Sequence, residues 1–201
     1  EFDTASGPVR IGGMCKGAGM IHPNMATMLA FLVTDAVIDP DLLGTILKPA
    51  VDDSFNMISV DGDSSTNDTV LLLANGASGV AIGTDSDLVD EFSHAFGVLC
   101  VDLAKDIVRG GEGVSKVFSV TVKGASSRTQ ARTIARSVTS SNLFKAAVHG
   151  SDPNWGRILC AAGYSGANFD PDRIDVWIGP FKVFGGGIPQ EYSEVDASRY
   201  L

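Results

Sequence analysis

Gly17-Ala18-Gly19-Met20-Ile21-His22-Pro23-Asn24-Met25-Ala26-Thr27-Met28-Leu29-Ala30-Phe31-Leu32-Val33 joins a loop of glycines and small residues, broken by one proline, to an apolar run. A run of that length bounded by turn residues reads as a buried strand, from about Met28 to Asp35. A loop that delivers a threonine to the first position of such a strand holds a hydroxyl rigidly. That hydroxyl is a weak nucleophile alone and needs an adjacent base, and one chemical solution is an N-terminal threonine using its own amine. By itself the pair Ala26-Thr27 is ordinary, because threonines at strand starts commonly do no more than satisfy local backbone groups.

Outward from this loop, Val9 to Met14 reads as a short strand leading in. Downstream, Asp39 and Pro40 supply an N-cap and a first helical residue. Leu43, Ile46, Leu47, Ala50 and Phe55 follow at helical spacing, with Pro49 expected to kink or shorten the helix. Ile58 to Val60 and Thr69 to Ala74 read as strands flanking an Asp/Ser/Asn-rich turn. Asp85 caps a longer helix with the face Leu88, Phe92, Ala95, Leu99, Leu103 and Ile107, which Gly110-Gly111 ends. Val117 to Val122 alternates as a strand closed by Gly124, and Ala131, Ile134, Ala135 and Val138 mark another helix. Asp152-Pro153 opens one more, running through Leu159 to Gly163. Ile174 to Ile178 and Phe181 to Val183 form a hairpin around a Gly-Pro turn. Helices and strands alternate irregularly, in pairs, with no internal repeat, which predicts helices layered on sheets in an α/β (α+β layered) fold.

Bulk composition narrows the partners. The 201 residues, 44% hydrophobic with 23 glycines, suit one sizeable core or two small lobes. A formal charge of -9 argues against nucleic acid, which selects a basic face. Cys15, Cys100 and Cys160 are few, odd in number and far apart, as in a reducing compartment. Cys15 stands beside Lys16, so it reads either as a reactive thiol or, more simply, as a small packed residue. No apolar run approaches a membrane span, and the amino end has no signal-peptide pattern. Starting at Glu1-Phe2-Asp3 without a methionine, the chain reads as a piece of something longer.

Several familiar chemistries fail on residue type. Gly12 to Gly17 has the length of a phosphate loop, but Ala18 stands where its lysine belongs. In Asp61-Gly62-Asp63, Ser65 and Leu72 occupy positions where a calcium loop needs its third ligand and its closing glutamate. His22, His94 and His149 lack partners at metal-ligand spacing, so no metal is expected. No Gly-x-Ser-x-Gly elbow is present. Thr27 is left as the best nucleophile candidate. Glu112 sits between glycines just past a helix end, where the helix dipole mildly disfavours a negative charge, and that placement hints at function. The turn from Asp61 to Asp68 reads as structural, its carboxylates and amides bonding backbone N–H groups. His149 to Arg157 is open to two readings, a lining of the site or a subunit contact.

Lys16 to Leu29, continued by Thr34-Asp35-Ala36, resembles the self-cleavage site of the bifunctional ornithine acetyltransferase / glutamate N-acetyltransferase family of arginine biosynthesis. Asp61 to Val70, Gly110-Gly111-Glu112-Gly113 and Gly150 to Arg157 match the same family at suitable distances, so the resemblance spans the chain. It implies a sandwich of sheets covered by helices, and an acyltransferase of amino-acid biosynthesis. The implied reaction moves acetyl from N2-acetylornithine to glutamate through an acetylated Thr27, after self-cleavage between Ala26 and Thr27. Residues 1–26 would then end an α-chain and residues 27–201 begin a β-chain. Lys16, Thr27 and Glu112 would bind substrate, Lys16 meeting a carboxylate and Glu112 an ammonium group.

Further expectations follow from the same resemblance. They are a heterotetramer of two α and two β chains, and a cytoplasmic location, or an organelle matrix in a eukaryote. No cofactor is expected, acetyl-CoA entering only as the acetyl donor of an additional amino-acid N-acetyltransferase activity. The family's oxyanion-hole threonine and glycine would precede residue 1, and a further asparagine and hydroxyl residue would follow Leu201. Two rivals share these residues: an amidase or aminopeptidase in which water is the acceptor, and an inactive fragment that needs a partner chain.

Overall fold

The computed structural model describes residues 2–22, 28–63, 66–83 and 85–201. The chain divides into two compact units, Glu1–Val114 and Ser115–Leu201. In the first unit a hairpin of β1 (Phe2–Thr4) and β2 (Gly7–Val9) precedes β3 (Ile11–Lys16) and β4 (Leu29–Thr34). Then come β5 (Val37–Ile38), α1 (Pro40–Asp53), a 3-10 turn (Phe55–Met57), β6 (Thr69–Ala74), β7 (Ala81–Ile82) and α2 (Ser86–Arg109).

β4 is the middle strand of three. It runs antiparallel to β3, with Met14 opposite Phe31, and parallel to β6, with Phe31 opposite Leu71. A parallel neighbour cannot be reached by a tight turn, and α1 lies in the connection from β4 to β6. α1 forms where expected: the Asp39 carboxylate accepts the Asp41 N–H at 2.9 Å, and Pro40 follows with its backbone already set for a helix. Pro49 does not stop it. The helix continues to Asp53, because Ile46 and Ala50, on either side of the proline, are buried in the core and that packing offsets the lost hydrogen bond.

The core lies between one face of this sheet and the two helices. Ala30, Leu32, Ile46, Phe55, Phe92, Phe96, Cys100 and Ala104 are buried in it. On α2 the fully buried stripe is Phe92, Phe96, Cys100 and Ala104, with Leu88, Leu99 and Leu103 flanking it. The series read from the sequence shares Phe92 and the buried Ile107 with the core, follows Leu88, Leu99 and Leu103 beside the stripe, and omits Phe96, Cys100 and Ala104. Phe92 stacks on Phe96 at 6.2 Å and meets Phe2 edge-on at 6.3 Å.

The other face of the sheet is open. β4 was expected to be buried throughout, yet Phe31 and Val33 are 41% and 48% exposed. Alternation explains this: Ala30, Leu32 and Thr34 point into the core, and the residues between them point out. Met14, Phe31 and Leu71 lie side by side across the three strands, and Val33 adjoins Leu73. Ile58 to Val60 is not a strand. Its Val60 N–H instead donates to the Ile21 carbonyl at 2.7 Å.

The second unit begins with an extended stretch. Residues 117–122 alternate exposed and half-buried as the sequence suggested, but they join no ladder. Three helices follow: α3 (Arg128–Ser140), α4 (Asn142–His149) and α5 (Trp155–Gly163). α4 was not anticipated, although Ser141 caps it by accepting the Phe144 N–H and it buries Phe144, Ala147 and Val148. Asn154, rather than Asp152, caps α5. The expected hairpin is β8 (Val176–Ile178) with β9 (Phe181–Gly185), extended by β10 (Ile188–Pro189) and followed by α6 (Glu194–Tyr200). Phe118 packs edge-on against Phe144 at 5.3 Å, and Trp155 stacks on Phe184 at 5.1 Å. No helix among the described residues is long and apolar enough to cross a membrane.

The two faces of the first unit's sheet should respond differently to truncation. Phe92→Ala, in the core, is expected to destabilise by about 3–5 kcal/mol. Leu73→Ala, on the open face, should stay within about 0.5 kcal/mol of wild type. Denaturant unfolding of both variants measures the contrast, and equal losses would contradict the placement of the core.

Candidate functional site

Two segments approach each other at the end of β3. After Lys16 the chain leaves the sheet through Gly17, and the Ala18 carbonyl accepts the Glu112 N–H at 2.6 Å. Glu112 lies in the loop beyond α2. The glycines beside it serve different needs: a Cβ on Gly111 would come within 2.7 Å of Val114 Cγ2 and 3.0 Å of Val60 Cγ1, whereas Gly113 has φ +69°. On the facing segment, an ideal Cβ on Gly19 would lie 3.2 Å from Glu112 Oε2 and 3.9 Å from Asp61 Oδ2. A side chain here would press the Glu112 carboxylate aside by a few tenths of an ångström and would meet the Asp61 carboxylate at ordinary contact distance.

Asp61 is the local anchor. Its carboxylate accepts the backbone N–H groups of Met20 at 2.6 Å, Ile21 at 3.0 Å and Asp63 at 3.0 Å. Met20 has φ 58°, a left-handed conformation that a non-glycine residue holds only when its surroundings fix it. The charge-assisted bond to its own N–H and full burial of the next residue, Ile21, do so. His22 Nδ1 lies 3.0 Å from Ser59 Oγ. On the downstream side, Asp68 Oδ1 accepts the Met28 N–H at 2.7 Å, and the Met28 carbonyl accepts the Thr69 N–H at 3.0 Å. The β4–β6 ladder starts at the next pair, Leu29 opposite Thr69.

The two aspartates titrate in opposite directions. Desolvation pushes Asp61 up, but the N–H groups of Asp63, Met20 and Ile21 together outweigh it and hold the carboxyl below the usual range. For Asp68 desolvation prevails over the Met28 N–H and raises it. Cys15 donates to the Leu103 carbonyl, and burial followed by the nearby Asp106 pushes its thiol up, the direction opposite to that of a reactive thiolate.

Of the sequence candidates, Lys16 is an exposed residue at the end of β3, two positions from Ala18, and the Ala18–Glu112 bond brings the loops carrying Lys16 and Glu112 together. Ala26 and Thr27 lie outside the described residues. The acidic turn makes the nearby backbone bond expected of it, from the Asp63 N–H to Asp61, and adds bonds to backbone about forty residues away. No sequence signal links Asp61 to Met20 or Asp68 to Met28. His149 to Arg157 serves the second unit internally. His149 Nδ1 lies 2.9 Å from Ser115 Oγ, Lys116 Nζ donates to the Val148 carbonyl and Ser151 Oγ, and Arg157 donates to the Leu143 carbonyl at 2.8 Å. Among the described residues no group of His, Cys, Asp and Glu is placed to hold a metal ion.

The comparisons agree with one another. The model of the ArgJ family matches residues 1–201. An arginine biosynthesis bifunctional protein ArgJ from Symbiobacterium thermophilum is 53% identical over 202 residues, covering 100% of this chain and 50% of that protein. A chloroplastic ArgJ from Oryza sativa subsp. japonica is 48% identical over 196 residues, covering 96% of this chain and 42% of that protein. The crystal structure of the arginine biosynthesis bifunctional protein ArgJ from Bacillus halodurans superposes with a TM-score of 0.84 at 40% identity, over 87% of this chain and 82% of that one. The chain spans about half the length of the curated relatives it matches. The mixed helix-and-sheet class expected from the sequence is the one found.

The opposed shifts give a direct test. Asp61, lowered on folding, stabilises the fold above its unfolded pKa of about 3.9, and that contribution is lost as pH falls through the depressed folded value. Asp68, raised, costs stability above its unfolded value and is relieved as it protonates. Carboxyl carbon NMR titration should put the Asp61 midpoint below the ordinary value and the Asp68 midpoint above it. The reverse order would contradict the hydrogen-bond assignment.

Proposed function

Because this chain belongs to the ArgJ family, we propose that it supplies the nucleophile and part of the substrate site of an acetyltransferase that moves acetyl from N2-acetyl-L-ornithine to L-glutamate. One observation carries the reading. The Ala18–Glu112 and Met20–Asp61 hydrogen bonds bring Glu112 and Asp61 to the segment that runs from Lys16 toward Ala26 and Thr27. In the first step the Thr27 hydroxyl attacks the Ala26 carbonyl, the C–N bond breaks, and water hydrolyses the resulting ester. This frees the Thr27 amine and leaves a carboxylate on Ala26. The amine then acts as base while the hydroxyl takes acetyl from acetylornithine, releasing ornithine, and glutamate finally accepts the acetyl. Lys16 holds a carboxylate of the amino acid, and Glu112 its ammonium group.

Residues 1–26 act in this scheme as the end of an α-chain and residues 27–201 as the start of a β-chain. Two of each assemble as a heterotetramer in the cytoplasm, or in an organelle matrix in a eukaryotic source. Oxyanion donors come from outside residues 1–201. No cofactor takes part, and acetyl-CoA serves only as donor in a side activity.

Mass spectrometry of the purified protein should find a break after Ala26. Thr27→Ala should leave the chain whole, and Thr27→Ser should retain some cleavage. A Thr27→Ala protein that still splits would end the assignment. In cleaved protein, Lys16→Ala and Glu112→Ala should each lower kcat/KM about ten- to a hundredfold without slowing cleavage, the range expected for losing one charge-assisted contact. Unchanged kcat/KM for both substrates would remove these two roles. Removing one oxyanion donor typically costs about 10²–10³ in rate, so residues 1–201 alone should transfer acetyl poorly and improve when an amino-terminal family polypeptide is added. Full activity without that addition would place the donors within this chain.

A further inference from the structure

Asn75-Gly76 leaves the end of β6 and turns the chain toward β7. The Asn75 N–H donates to the Thr34 carbonyl at 3.1 Å, and the Ser78 N–H and hydroxyl both donate to the Asp35 carbonyl. Between these anchors Asn75 is exposed, and its Oδ1 accepts the Ala77 N–H at 2.9 Å. An oxygen that reaches the N–H two residues on folds the side chain back over the intervening peptide. The nitrogen of that peptide belongs to Gly76. Among the described residues neither the Gly76 N–H nor Asn75 Nδ2 has a hydrogen-bond partner. Gly76 has φ +70°, and a Cβ built on it would stand 3.3 Å from Val37 Cγ2, so the turn itself calls for glycine.

From this geometry we propose that Asn75 is a self-modification site, converted by water to aspartate and isoaspartate through a cyclic imide. The Gly76 nitrogen gives its proton to hydroxide and attacks Asn75 Cγ. The new C–N bond closes the ring, and the Cγ–Nδ2 bond breaks as Nδ2 takes up a proton and departs as ammonia. Water then opens the imide. Cleavage of the bond between nitrogen and Cγ leaves aspartate, and cleavage on the backbone-carbonyl side leaves isoaspartate, with the chain running through the former side chain. Ammonia is lost, water is gained, and nothing is oxidised or reduced. The Ala77 N–H assists by drawing electron density from the Cγ carbonyl, and glycine assists by carrying no side chain beside the attacking nitrogen.

Two other sites show what this chemistry lacks elsewhere. Asp61 also precedes a glycine, but its carboxylate accepts three N–H groups and is held ionised, a poor target for an amide nitrogen. Asn154 has both ends of its amide engaged, Nδ2 with Asp152 and Oδ1 with the Arg157 N–H. The nitrogen that would attack it, that of Trp155, already donates to the Pro153 carbonyl at 3.0 Å.

The experiment incubates the folded 201-residue protein and a synthetic peptide of residues 74–80 at mildly alkaline pH. Peptide mapping by mass spectrometry follows the replacement of NH by O at each asparagine, and Asn75→Asp supplies the chromatographic reference for the aspartate product. Asn75 in the folded protein is expected to convert within about tenfold of the peptide's rate, a barrier difference of about 1.4 kcal/mol or less. Both products should appear while Asn154 stays intact. Asn75→Gln, whose longer side chain must close a larger ring, should lose the modified species. Slowing in the folded protein by more than that factor would overturn the proposal, because the turn would then protect the pair. Conversion of Asn154 at the same rate would remove the site selectivity. Aspartate without isoaspartate would replace the imide by direct hydrolysis and overturn the route. The comparison of wild-type protein with peptide decides the matter even if Asn75→Gln fails to fold.

Discussion

A single carboxylate that accepts three backbone N–H groups sets the geometry of the candidate site. Asp61 reaches across from the turn before β6 to the segment after β3, and it holds Met20 in a left-handed conformation that its side chain would otherwise resist. Burial of Ile21 beside it adds the apolar half of the same fixation. The loop is polar where it meets the carboxylates and apolar where it meets the core, and both features are encoded within three residues.

Local signals in the sequence were read well because both partners lie within a few residues of each other. Asp39 with Pro40, Asp85 with the helix after it, and the hairpin around Gly179-Pro180 belong to this kind. The extended stretch 117–122 shows the limit of periodicity. Its alternation reports which side chains turn inward, while a strand also needs a neighbour to bond with, and no local pattern can announce one. α4 was missed for the opposite reason. It is two turns long and starts one residue after α3 ends, so its cap Ser141 reads as more of the preceding helix.

The candidate site was legible in residue type and illegible in connection. Glu112 stood out by its setting between glycines and Thr27 by its place at a loop end, whereas Lys16 was singled out through the family resemblance. Asp61 and Asp68 stood out as a carboxylate-rich turn, but a hydrogen bond across forty residues leaves no trace in either segment. Burial was overstated for β4 in the same way. An unbroken apolar run is equally compatible with two covered faces and with one, and the parallel pairing with β6 does not decide between them.

The uncovered side of the three-stranded sheet has a thermodynamic consequence. Denaturant sensitivity and the heat capacity of unfolding both scale with surface that becomes exposed when the chain opens. Met14, Phe31, Val33, Leu71 and Leu73 are already 70%, 41%, 48%, 43% and 57% exposed in the folded chain. They contribute less to either quantity than fully buried side chains of the same size would, which makes the denaturant slope shallower and the stability curve flatter than a covered sheet would give. A layer that covered this face would steepen both at once, making cooperativity a more sensitive gauge of its occupancy than the melting temperature.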